Sequence, residues 1–433
     1  MAVAYGFGLP PVRVAGCCHP GALPCSMEAG YSYRFYPTNE QAQMLARTFG
    51  CARFAYNWAL RLRSDAYQNE GQTLSYGDTS KRLTALKKTE DHAWLNEVSS
   101  VPVQQALRHL DAAYRRFFRK KSRFPRFKSR RSKQSAEYTT SGYRVKDSGM
   151  KGQPLVYLAK MTGPLKVRWS RPLPSAPKTI HVSRDRAGRY FVSFQVADDP
   201  KPFARTKRSA GVDLGLKDIV VTVDDLGQMW KSGNPRHHRR DLAHLKRAQR
   251  GLARKQKGSA NREKARRKVA RLHARVRDRR QDFLHKLSTR LVRDYDRIAV
   301  EDLAVKNMVR NRSLAQAISD AGWGELLRQL RYKAEWYGKE VVVVDRFYPS
   351  SKRCSGCGWI NAALALSDRR WTCEECGAEH DRDGNACMNI LAAGHAAAAS
   401  GDGVGRGSAA HLSVKEESTP PRGVECQVLG SRH

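Results

Sequence analysis

The spacing of apolar and polar positions divides the chain into stretches of different period. Tyr31 to Tyr36 alternates and is aromatic, which predicts a strand. Pro37 ends it, and Thr38 or Asn39 is placed to cap a helix over Gln41 to Gly50. A second helix is predicted over Cys51 to Gln68, where Phe54, Trp58, Leu60 and Leu62 mix with Arg53, Arg61 and Arg63. A third is predicted over Thr79 to Lys88. A fourth runs over Val103 to Phe118, with Leu107, Leu110, Ala113 and Phe117 on one face. From Tyr138 to Val196 the period becomes two: LVYLA, PLKVRWS, KTIHVSRD and RYFVSFQVA are separated by turns at Gly152, Gly163 and Gly188. These strands predict a small antiparallel barrel or sheet. If Tyr31 to Tyr36 joins it, the intervening helices are an insertion.

Asp198 to Arg208 reads as a Pro- and Lys-rich linker. Two strands follow, Val212 to Gly215 and Ile219 to Val223, then two strongly basic helical pieces between Asn234 and Val292 divided at Gly258-Ser259. Leu272, Val276, Phe283, Leu287 and Leu291 form the apolar stripe of this helical hairpin. RIAVEDL (Arg297 to Leu303) predicts a strand, Gly322 to Tyr337 a helix, and VVVVD (Val341 to Asp345) a strand covered on both faces. The last predicted helix is Ala386 to Ala393. The order is mixed α/β.

Charge narrows the class of partner. The chain has 79 Lys and Arg against 41 Asp and Glu, a formal net charge of +38, which points to a polyanion. The loop Arg119 to Lys133 is basic with Phe124 and Phe127 interleaved, a composition suited to a nucleic-acid backbone and its bases. No apolar run is long enough to span a bilayer, so no membrane partner is expected. Residues 1–26 lack helical periodicity and a signal-peptide pattern, and residues 396–433 are too poor in apolar side chains to pack; both are expected to be disordered. Cys17, Cys18, Cys25, Cys51, Cys387 and Cys426 follow no disulfide spacing, which fits a reducing, cytoplasmic location.

Two chemistries lie between Ser351 and Ile390. Cys354, Cys357, Cys373 and Cys376 form CxxC…CxxC with fifteen residues between the pairs, the spacing of a zinc ribbon. Four thiolates would close a tetrahedral shell around one structural Zn²⁺. Next come Asp381 and Asp383, ahead of the last helix. Asp383 alone is as readily a helix cap. It gains meaning from Asp213, a carboxylate on a largely apolar strand, where an isolated charge is costly, and from Glu301 or Asp302 at the end of another. Neighbouring residues of a strand face opposite ways, so only one of that last pair can share a face with Asp213. Acids converging from three elements suit an RNase H-like nuclease, in which three carboxylates hold two Mg²⁺ ions for phosphodiester hydrolysis.

GVDLGLKD, VEDL and CSGCG…CEECG…HDRDGNA, in this order, resemble the TnpB family, insertion-sequence-encoded nucleases related to the type V CRISPR effectors. The resemblance spans about residues 28–395 and is looser in the first half, through ARFAYN, LTALKK and FPRFKSRR. It implies a wedge-type β-barrel (27–50 and 136–205) carrying a helical recognition insertion (51–135). It further implies a RuvC-like nuclease domain (206–352, closing with 380–395) around a zinc ribbon (353–379). It implies RNA-guided cleavage of double-stranded DNA beside a short flanking motif, by one chain holding a guide RNA made from the transposon end, within the nucleoid. It assigns catalysis and Mg²⁺ binding to Asp213, Glu301 and Asp383, and offers Tyr76, Ser80, Gln104 and Thr139 as DNA-reading side chains. Cys387 stands where the family usually has Ala, a change expected to have no functional cost. The alternatives are a transposase or recombinase working without a guide, and a non-catalytic zinc protein that binds nucleic acid.

Overall fold

The computed structural model describes residues 27–365 and 367–399. The segment 1–26, residues 400–433, and Cys17, Cys18, Cys25 and Cys426 lie outside the described residues.

The chain opens with β1 (Met27–Phe35) and then α1 (Asn39–Glu70), one helix of 32 residues where the sequence pattern suggested two. Gly50, at the expected break, faces open space, so it weakens the helix without interrupting it. Thr38 is the cap: its Oγ accepts from the Gln41 amide, and the Gln41 side chain accepts from the Thr38 amide, both at 3.2 Å. Next come α2 (Tyr76–Leu86) and α3 (Ser100–Phe118). Leu83, Leu95, Leu107 and Leu110 bury against Ala55, Ala59 and Leu60 of α1.

Then come β2 (Gln134–Thr139), β3 (Tyr143–Lys146), β4 (Leu155–Leu158), β5 (Val167–Arg168), β6 (Pro177–Arg184) and β7 (Tyr190–Asp198). β1 does join them, in a five-stranded sheet ordered β2-β6-β7-β1-β5, so α1 to α3 interrupt the sheet in sequence. Tyr33, Phe35, Ile180, Val192 and Phe194 fill its core. Among the described residues the expected barrel does not close: β2 and β5 are edges, and β3 pairs with β4 in a separate hairpin. β5 has two residues, and Pro164, Pro172 and Pro174 flank it. Proline donates no ladder hydrogen bond, so the strand cannot extend to complete a cylinder.

The second half contains β8 (Ser209–Asp213), β9 (Val221–Asp224), β10 (Met229–Lys231), α4 (His237–Ala253), α5 (Ala260–Asp294) and β11 (Arg297–Glu301). After them come α6 (Val305–Met308), α7 (Ala315–Ala321), α8 (Trp323–Tyr337), β12 (Glu340–Val344), the ribbon strands β13 (Arg370–Thr372) and β14 (Glu379–Asp381), and α9 (Arg382–Ala399). The sheet runs β10-β9-β8-β11-β12. β8, β11 and β12 are parallel, while β9 and β10 run antiparallel to their neighbours.

Strand alternation gives this sheet two faces. Ala210, Val212, Ile298 and Val300 pack with Leu284, Leu291, Leu326 and Leu330 of α5 and α8. Ala299, Val344, Val221 and Val223 meet Ile390 and Cys387 of α9 on the other face. α9 begins four residues before the predicted helix and continues through Ala399, into the stretch expected to be disordered, because the alanine-rich run favours helix. Two glycines let it lie close: a Cβ built on Gly211 would overlap the Cys387 carbonyl, and one on Gly394 would stand 2.5 Å from the Ala299 Cβ. Among the described residues no helix is long and apolar enough to cross a membrane.

Candidate active site and metal centre

Asp213 ends β8 and Glu301 ends β11. Val212 stands opposite Val300 in the parallel ladder, so the two acids are the next residues in line. Both follow residues of the α5/α8 face, and both therefore point to the face covered by α9. Asp383 is the second residue of α9. The other two carboxylates bear on Asp213: its carboxyl is pushed up to about 7, first by burial, then by the negative charges of Glu301 and Asp383. Glu301 is also raised by burial, partly offset by the Ser350 hydroxyl, which donates to its Oε1.

The neighbouring acids are occupied elsewhere. Asp302 is ion-paired with Arg346. Asp381 Oδ1 accepts from the Gly384 amide at 2.9 Å, capping α9, and its other oxygen lies 3.3 Å from Lys231 Nζ. The capping role open to Asp383 in the sequence thus belongs to Asp381. Asp383 meets an exposed cation, Arg369, at 3.6 Å. Half-buried carboxylates that bear on Asp213, with Arg382 and the exposed Arg369 as their nearby cations, fit a hard divalent ion, whose ligands are oxygens.

The cysteines form a tighter set. The sulfurs of Cys354, Cys357, Cys373 and Cys376 all lie within 4.8 Å of one another. Cys354 and Cys376 are 3.7 Å apart, and Cys357 and Cys373 are 3.6 Å apart. A tetrahedral Zn²⁺ with bonds of about 2.3 Å sets its sulfurs about 3.8 Å apart, so these residues fit the ion. His380 Nε2 is 3.1 Å from the Cys354 sulfur, and its ring packs 4.7 Å from that of Trp371. Burial raises the Cys354 thiol, but the Cys357 amide, His380 and the Gly356 amide outweigh it and bring it down to about 5. Sequence reasoning gave His380 no role, because a lone His after a complete CxxC…CxxC adds nothing to the ligand count.

Further out, the tyrosine hydroxyl of Tyr76 and the hydroxyl of Ser80 both donate to Gln104 Oε1, at 3.1 and 3.2 Å. All three are half-buried, and the Arg108 guanidinium lies 5.2 Å from the Tyr76 ring centroid. Thr139 closes β2, opposite Thr179 of β6. In the basic loop, Asn57 clamps Lys128, accepting from its amide at 2.8 Å and donating to its carbonyl at 3.0 Å. Phe124 packs edge-on against Tyr114 and Phe117. Phe127 stays 62 % exposed.

Three family models match. One described as "Probable transposase" covers residues 192–312, one described as "Cas12f1-like, TNB domain" covers 323–390, and one described as "Helix-turn-helix domain" covers 27–72. That last match falls on β1 and the whole length of α1. A Streptomyces pristinaespiralis protein named "Putative RNA-guided DNA endonuclease" is 54% identical over 381 residues, 87% of this chain and 92% of that protein. The Escherichia coli K12 protein named "Putative RNA-guided DNA endonuclease InsQ" is 32% identical over 393 residues, 87% of this chain and 95% of that one. In fold, the chain is similar to a cryo-EM structure of a Cas12f1–sgRNA–target DNA complex, with a TM-score of 0.52 at 14% identity over 81% of this chain and 83% of that one. The fold and site are those of a mixed α/β protein with a four-cysteine ribbon. The chain belongs to the TnpB family.

Proposed function

We propose that the chain is an RNA-guided DNA endonuclease that hydrolyses phosphodiesters at Asp213, Glu301 and Asp383. The observation that carries this reading is the placement of those three acids: Asp213 and Glu301 end adjacent parallel strands, and Asp383 starts the helix that packs on the same face of that sheet. The strand order, three strands linked antiparallel and then two added in parallel, supports an RNase H-like, RuvC-type domain. The open sheet interrupted by α1 to α3 stands for the wedge and its recognition insertion.

Two Mg²⁺ ions, when bound, would supply an activated water and a stabilised leaving oxygen. The chain's part is to hold the oxygens that grip them. Asp213, Glu301 and Asp383 would supply those oxygens. Burial strips water from Asp213 and Glu301, which strengthens their hold on a cation. The ribbon would hold one Zn²⁺ through its four thiolates and take no part in chemistry.

A net charge of +38 suits a guide RNA, its heteroduplex with target DNA and the displaced strand. The chain is proposed to act as a monomer with one guide RNA. The cluster of Tyr76, Ser80 and Gln104, with Thr139, is proposed to read the flanking motif. The test is to purify the protein with its RNA, sequence that RNA, and assay cleavage of DNA matching it. A dominant guide and Mg²⁺-dependent cutting abolished by Asp213→Ala are expected. Equal cutting by Asp213→Ala would overturn the nuclease reading. Random co-purified RNA, or equal cutting without RNA, would overturn the guided one.

A further inference from the structure

A chain of buried polar contacts joins the thiol knuckle to the carboxylates. Asn385 lies two residues beyond Asp383 on α9 and is 1 % exposed. Its amide grips the backbone on both sides of Cys354: Nδ2 donates to the Arg353 carbonyl at 2.7 Å, and Oδ1 accepts from the Ser355 amide at 2.9 Å. Asn389, one turn further along the same face of α9, is 3 % exposed. Its Nδ2 donates to the same Arg353 carbonyl at 2.6 Å and to the Ser350 carbonyl at 2.8 Å. Ser350 is itself buried, and its hydroxyl donates to Glu301. The segment entering the ribbon is therefore fastened at one end to Glu301 and along its length to the helix that begins with Asp383.

Buried side-chain amides and hydroxyls need partners, and these find theirs only while the knuckle keeps its shape. Contacts outside a metal-binding shell commonly orient the groups that do the binding. We propose that Ser350, Asn385 and Asn389 are positioning residues, which make the spacing of Glu301 and Asp383 depend on the folded ribbon. The proposal rests on the reading of those acids as a cation site. Ser350 and the two asparagines act through Glu301 and α9, not on the substrate.

The test uses the full chain loaded with zinc and carrying its RNA. Amide hydrogen exchange is followed at residues 299–303 and 382–386, and zinc is counted, in the parent, Ser350→Ala, Ser350→Thr and Asn389→Ala. Zinc content should be unchanged in all four. Exchange in both segments should rise in Ser350→Ala and Asn389→Ala, and the Mg²⁺ concentration giving half-maximal cleavage should rise about tenfold. Ser350→Thr, which keeps the hydroxyl, should restore both quantities. Parental exchange and parental Mg²⁺ demand in Ser350→Ala would overturn the proposal. Should Asn389→Ala fail to fold, the two Ser350 variants decide alone, since they differ from the parent by one hydroxyl or one methyl group. A parent that cuts no DNA while Ser350→Ala loosens the two segments overturns the nuclease reading and leaves the coupling standing.

Discussion

Gly211 of β8 lies directly beneath the Cys387 carbonyl of α9. A side-chain carbon built on Gly211 would overlap that oxygen and come within 2.8 Å of the Leu391 amide nitrogen. Both obstacles are backbone, so neither can swing aside. Gly211→Ala must push α9 off the sheet, at a cost of about 1–3 kcal/mol or more. The variant should melt several degrees lower by calorimetry. It should also lose cleavage at temperatures where it remains folded, because α9 carries Asp383.

The metal-free protein should lose stability with rising pH at Asp213. Its folded carboxyl titrates near 7 against an ordinary 3.8, so the contribution is fully present below about 4 and is lost as pH climbs to 7. The total is on the order of 4 kcal/mol, since each pH unit between the two values is worth about 1.4 kcal/mol. Lys333 and His285, lowered to about 7 and about 4 chiefly by burial, slope the opposite way, so the parent's profile mixes the three. The difference between the parent and Asp213→Asn in chemical denaturation isolates the carboxylate. Asn should be the more stable at pH 8 without Mg²⁺, and the gap should shrink when Mg²⁺ is added.

Stripping the ribbon's metal should unfold residues 353–381 locally. Cys373→Ser leaves three thiolates and should release zinc to a chelating dye at least about tenfold faster than the parent. Protease nicking near Arg369 and Arg370 should follow, and an unchanged release rate would rule out a four-thiolate site.

Gln104 receives two hydroxyl donors at one oxygen, which fixes the amide and leaves its NH₂ directed away from them. Gln104→Ala should broaden the set of flanking motifs that support cleavage, with about 1–3 kcal/mol less discrimination at one base pair. A library of randomised flanking sequences measures this directly. Unchanged preference would remove Gln104 from the readers.

Much of this molecule was legible because period and burial coincide. The Gly258-Ser259 break separates α4 from α5, and the cysteine spacing brought four sulfurs together, whereas VVVVD became β12 but at the sheet edge with Val343 exposed, not covered on both faces. The ambiguity between Glu301 and Asp302 had a solution in strand parity: Val300 faces α5 and α8, so Glu301 faces α9. What sequence alone withheld was which residue of β8 and β11 faces which helix. Of the barrel or sheet that the alternation allows, the sheet is found; a two-residue β5 among prolines looks, in the alternation of PLKVRWS, like a full strand able to close a barrel. Ser350, Asn385 and Asn389 carry no signal of their own, since their partners are atoms of a distant segment, most of them backbone.

α9 is the last helix described, and it covers a sheet whose first strand begins some 170 residues earlier. During synthesis, β8, β11 and β12 leave the ribosome with one side bare and only two of the acids present. Nascent chains therefore cannot bring the three acids together until translation has passed the ribbon, and under the proposed function products that terminate early would be inert toward the genome that encodes them.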